Sequence, residues 1–121
     1  MKILIVDDEE MIREVIKEYS EDAGYQTDEA ENGKIALEKI NKNTYDLLIL
    51  DIMMPEMDGF TVLKNISKEK MIPTIVLSAR GEEYDKLNGF DLGIDDYLTK
   101  PFSPKELIAR IKAVLNRTQK N

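Results

Sequence analysis

Apolar residues along this chain recur with two alternating periods. Ile3-Leu4-Ile5-Val6, the run Asp46 to Asp51 and the run Pro73 to Ser78 hold short, unbroken apolar cores, and they predict strands buried on both faces. Tyr25 to Ala30 and Asp96 to Thr99 are more polar and predict edge strands. Between the strands the spacing turns helical. Met11, Ile12, Val15, Ile16 and Tyr19 mark a first helix closed by Gly24, and Ala36, Leu37 and Ile40 mark a second after the Asn32-Gly33 turn. Phe60, Leu63 and Ile66 mark a third, following the proline- and glycine-broken loop Met54 to Gly59. A weaker helix is predicted over 82–92, where Tyr84, Leu87 and Phe90 form a thin face interrupted by Gly89. Leu107, Ile108, Ile111, Val114 and Leu115 form the face of the last helix; Ser103 is its expected N-cap, Pro104 its first residue and Glu106 the partner in a capping box. Periodicity is lost from Asn116, so 117–121 are expected to fray or to begin a linker.

Strands alternating with helices predict a parallel sheet covered on both faces. An order of 2-1-3-4-5 puts the two polar strands at the edges. The fold class is therefore α/β, a flavodoxin-like doubly wound (βα)5 arrangement. The 121 residues fit one domain spanning 1–121.

Composition narrows the chemistry. With no cysteine and no histidine, disulfides, thiolate metal sites and histidine acid–base chemistry are excluded, and any metal must sit on oxygen ligands. A net charge of −7 disfavours direct contact with nucleic acid. No apolar run approaches a membrane span, and Met1-Lys2-Ile3 leads straight into a strand followed by Asp7-Asp8, unlike a signal peptide, so a cytoplasmic location without membrane contact is expected.

In doubly wound sheets, ligands bind beyond the carboxyl ends of the strands, at the switch point between the first and third. Asp7 and Asp8 end the first strand here, Asp51 the third, Ser78 the fourth, and Lys100 follows the fifth. Taken singly, each has an ordinary explanation. A strand-end Asp is commonly a turn or cap residue, Asp7-Asp8 suit the start of the first helix, and Ser78 and Lys100 read as a loop hydroxyl and a surface charge. Together they form one rim. Carboxylates crowded there cannot easily all ionise, and a divalent cation removes that conflict. Mg²⁺ binds one or two carboxylates, keeps waters and accepts phosphate oxygens. A carboxylate can also be the nucleophile in phosphoryl transfer, giving an aspartyl phosphate.

The segments Ile3 to Glu9, Asp46 to Pro55, Met57-Asp58-Gly59, Ile75 to Arg80 and Asp95 to Phe102 occur in an order and spacing that resemble response-regulator receiver domains over essentially the whole chain. The resemblance implies that Asp51 is the phosphoacceptor, and that Asp7, Asp8, Asp51 and the backbone carbonyl of Met53 hold Mg²⁺. It implies that Ser78 is the hydroxyl that meets the phosphate, that Tyr97 is the aromatic whose rotamer follows it, and that Lys100 pairs with the phosphate. It also implies a cis Lys100–Pro101 bond. Ile94 stands where the family usually carries a small residue.

The last third is similar to the OmpR/PhoB-type branch. That likeness implies a sensor histidine kinase as phosphodonor, and a homodimer formed on phosphorylation through a helix–strand–helix face at 82–117. Lys86, Asp95, Asp96, Glu106, Arg110 and Arg117 lie on this face, with Lys86 expected to pair with Glu106 and Asp96 with Arg110. It further implies transcription control through a separate DNA-binding domain; the alternative is a stand-alone regulator acting by protein contact. An aspartyl phosphatase of the haloacid-dehalogenase type would need an acid two residues after the nucleophile, where Met53 stands. A nucleotide-binding enzyme would need a glycine-rich phosphate loop after the first strand, and none is present. The chain is accordingly expected to be a phosphoacceptor domain that supports its own phosphorylation and dephosphorylation rather than a conventional enzyme.

Overall fold

Side chains alternate across a strand, so a strand apolar at every position must be covered twice. That requirement organises the computed structural model, which describes residues 1–79 and 92–118. Five parallel strands, β1 (Lys2–Val6), β2 (Gln26–Ala30), β3 (Leu47–Asp51), β4 (Thr74–Ser78) and β5 (Asp96–Thr99), form one sheet in the order β2-β1-β3-β4-β5. The helices among the described residues are α1 (Glu10–Asp22), α2 (Gly33–Lys42), α3 (Gly59–Lys64) and α4 (Pro104–Thr118), with a 3₁₀ turn at Lys68–Lys70. The expected weak helix at 82–92 lies outside the described residues, apart from Leu92.

The pleat sorts the core into two layers. Leu4, Val6, Leu48, Leu50 and Val76 face Ala36 and Ile40 of α2 and Val62 and Leu63 of α3. Ile3, Ile5, Leu47, Ile49, Ile75 and Leu77 face Ile16 of α1 and Leu107, Ile111, Val114 and Leu115 of α4. Each fully buried Leu or Ile here contributes about 1.5–3 kcal/mol, which lets the sheet hold a charged rim at its carboxyl end. Ile94 joins the first layer, buried among Val76, Tyr97 and their neighbours.

Three details differ from the sequence pattern. Met11 and Tyr19, expected on the buried face of α1, are exposed; the buried line runs through Ile12, Ile16 and Ser20, at strict four-residue spacing, and leaves the other two on its flanks. α3 closes at Lys64, with Ile66 buried just beyond it. α4 continues through Asn116 and Arg117 to Thr118, whose hydroxyl donates to the Val114 carbonyl at 3.0 Å. Ser103 caps α4 by accepting from the Glu106 N–H at 3.3 Å, while the Glu106 carboxylate engages Arg110. Gly24, just past α1, has φ 96°, the left-handed conformation that a side chain resists.

Candidate functional site

The strand register brings the rim together. β1 ends at Val6, paired with Leu50, so Asp7 and Asp51 leave adjacent strands at the same level. Oxygens of Asp7, Asp8 and Asp51 lie within 4.8 Å of one another. Asp7 and Asp51 are buried and Asp8 is exposed, so the cluster opens to solvent on one side. Lys100 enters from the turn after β5, its backbone N–H donating to the Ser78 carbonyl. Its ammonium lies 2.8 Å from Asp7 Oδ2 and 3.5 Å from Asp51 Oδ2. Ser78 is fully buried at the end of β4, and Tyr97 is buried against the α2–α3 layer. The Lys100–Pro101 peptide bond is cis.

The loop after Asp51 is held by backbone contacts. The Met53 N–H donates to Asp51 Oδ1 at 3.1 Å while the Met53 side chain is exposed. Glu56 has φ 69° in a tight turn closed by the Met57 N–H on the Pro55 carbonyl at 2.8 Å. Met57 lies against Gly33 of α2, and Asp58 caps α3 by accepting from the Thr61 N–H at 2.8 Å.

Electrostatics show an unresolved conflict. Burial, with the nearby Asp7 carboxylate second, pushes the Asp51 carboxyl up to about 6; Lys100 and the Met53 N–H pull it down without cancelling that rise, and Asp8 adds to it. Burial works against the charge on Lys100, but the hydrogen bond to Asp7 and the charges of Asp51, Asp7 and Glu9 outweigh it and hold the ammonium protonated above its ordinary range. Two like charges roughly 4 Å apart repel by about 4 kcal/mol at an effective dielectric of 20, and one ammonium cannot neutralise three carboxylates. A converging, all-oxygen donor set with excess negative charge fits a hard divalent cation.

Among the described residues, the charged groups expected on the helix–strand–helix face are engaged within one chain. Arg110 meets Asp96 at 2.9 and 3.0 Å and Glu106 at 3.1 Å, and these partners raise its pKa. Arg117 donates to the Asp95 carbonyl at 3.2 Å, and the Asp95 carboxylate accepts from the Thr74 N–H at 2.8 Å. Lys86 lies outside the described residues.

The sequence pattern does not single out Arg13. It stands on α1 beside apolar positions and reads as an ordinary surface cation, yet its side chain is only 13% exposed and reaches back to the carbonyl of Asp7.

A family model described as response regulator receiver domain matches residues 3–112. The transcriptional regulatory protein SrrA of Staphylococcus aureus is 48% identical over 118 residues, covering 98% of this chain and 49% of SrrA. The chain thus spans about half the length of the curated relatives it matches. The receiver domain of Francisella response regulator 1452 superposes with a TM-score of 0.89 at 44% identity, over 97% of this chain and 98% of that one. A two-component response regulator from Clostridium difficile superposes with a TM-score of 0.92 at 35% identity, over 99% of both chains. Among the described residues no helix is long and apolar enough to cross a membrane.

Proposed function

Because the chain belongs to the response regulator receiver domain family, we propose that its rim accepts a phosphoryl group on Asp51 from a phosphohistidine of a sensor histidine kinase. The observation that carries this reading is the convergence of Asp7, Asp8 and Asp51 within 4.8 Å, with Lys100 2.8 Å from Asp7. An Asp51 carboxylate oxygen attacks phosphorus, the P–N bond to the histidine breaks, and an aspartyl phosphate forms. Asp7, Asp8, Asp51 and the Met53 carbonyl would hold Mg²⁺, which offsets the negative charge gathered as the phosphoryl group approaches. Lys100, already between Asp7 and Asp51, supplies a fixed cation for a phosphate oxygen. The Ser78 hydroxyl donates to another phosphate oxygen, and Tyr97 on the neighbouring strand follows that movement.

The output we infer is a change in the face at 82–117 that favours a symmetric dimer and, through a separate DNA-binding domain, alters transcription. The half-length match to a transcriptional regulatory protein supports this over a stand-alone regulator.

The reading is tested by adding Mg²⁺ and beryllium fluoride, a mimic of the phosphorylated aspartate, and following NMR shifts and mass in solution, with Asp51→Asn as control. Shifts at Ser78, Tyr97 and Lys100 in wild type alone, with doubling of mass, are expected. Shifts without a dimer would reject the dimer output and favour a single-domain or heteromeric one. Equal responses in wild type and control would reject Asp51 as phosphoacceptor.

A further inference from the structure

We propose that Arg13 is a positioning residue for the carboxylate site, a role that rests on the reading of Asp7 and Asp8 as holders of a divalent cation. Arg13 rises from the first turn of α1, where its N–H bonds the Glu9 carbonyl. Its guanidinium turns back over the end of β1. One terminal N–H donates to the Asp7 carbonyl at 2.8 Å, and Nε donates to Glu29 Oε1 near the end of β2 at 3.1 Å. Lys17 lies 3.9 Å from the other Glu29 oxygen and helps hold that acid in place.

The carbonyl so held belongs to the peptide that joins Asp7 to Asp8. Asp7 has already left the ladder of β1, its N–H making a long 3.3 Å bond to the Ala30 carbonyl. The direction of the Asp7–Asp8 peptide plane sets where both side chains leave the backbone. The Arg13 fork therefore orients two acids at once, and the Glu9 N–H on Asp7 Oδ1 at 2.9 Å completes the frame. A planar guanidinium can bridge a carbonyl and a carboxylate in fixed geometry, whereas a lysine ammonium is a point charge on a flexible stem.

Charge and orientation make opposite predictions, so the role is separable. As a charge alone, Arg13 repels a divalent cation: Arg13→Gln would tighten Mg²⁺ binding, and Arg13→Lys would leave it unchanged. As a positioning residue, Arg13 is needed for both acids to converge. Arg13→Gln and Arg13→Lys should each weaken Mg²⁺ binding by about tenfold, the low end for residues that orient metal ligands. The measurement is calorimetric titration with MgCl₂, with urea unfolding run on each variant. Should Arg13→Gln fail to fold, Arg13→Lys carries the test. Wild-type binding with weaker binding in the folded variants supports the proposal. Wild-type binding with equal or tighter binding in the variants overturns it and leaves the receiver reading intact. Absence of Mg²⁺ binding by wild type would overturn the metal-site reading and this inference with it.

Discussion

With divalent ions chelated at about pH 7.5, Asp51→Asn is expected to be more stable than wild type by about 1–3 kcal/mol. Burial first, and the Asp7 carboxylate second, raise the Asp51 carboxyl from 3.8 to about 6. Between those values the folded chain keeps a proton that the unfolded chain has lost, so this group's contribution to stability falls as pH rises through the window and then stays low. A displacement of that size is worth about 3 kcal/mol, a net figure in which the attraction to the Lys100 ammonium 3.5 Å away is already included. Well below pH 3.8 the wild-type carboxyl is neutral in both states, so the two proteins should converge there. Urea unfolding in a chelating buffer across this range measures the difference. A difference that does not vary with pH, or a less stable Asp51→Asn above about pH 6, would contradict the charge conflict at the rim.

Gly59→Ala is expected to destabilise the fold by about 2–3 kcal/mol, near the upper range for overpacking. Gly59 opens α3 against the end of β3, its N–H bonded to the Ile52 carbonyl at 3.2 Å. A Cβ there would lie 2.8 Å from the Asp51 carbonyl oxygen and 2.8 Å from the Ile52 Cα. Both are backbone atoms of the segment that carries Asp51, so relief must come from moving the site itself. Gly24→Ala is the matched control. Nothing lies within 4 Å of its added carbon, and its only penalty is the left-handed backbone at φ 96°, worth about 1–2 kcal/mol. Gly59→Ala should also weaken Mg²⁺ binding, whereas Gly24→Ala should not. Unfolding curves and calorimetric titrations of both variants decide this; equal stability losses with unchanged metal affinity would show that α3 absorbs the methyl group without disturbing Asp51.

The fold was legible because the burial demand is unambiguous. Ile3 to Val6, Leu47 to Leu50 and Ile75 to Leu77 are apolar at consecutive positions, and runs this short and rich in β-branched residues suit strands covered on both faces. The polar strands β2 and β5 then fall at the edges. The convergence of Asp7, Asp8, Asp51 and Lys100 follows from the same order, because parallel neighbouring strands deliver their carboxyl ends to one rim. What stayed hidden depended on rotation and reach. The apolar marks on α1 fit more than one face, so the pattern points Met11 and Tyr19 inward although they are exposed. Arg13 looks like any surface cation until α1 is docked and its guanidinium meets the Asp7 carbonyl. The left-handed Glu56, with φ 69°, carries a residue type that gives no sign of such a turn.

The most direct test of the central claim is labelling with a small phosphodonor. Wild type and Asp51→Asn would be incubated with acetyl phosphate, with Mg²⁺ or with chelator, and followed by intact mass and by peptide mapping after borohydride trapping of the acyl phosphate. The account predicts one phosphoryl group on wild type, mapped to Asp51, dependent on Mg²⁺ and absent from the variant. Labelling that persists in Asp51→Asn, or that maps to another residue in wild type, would contradict it.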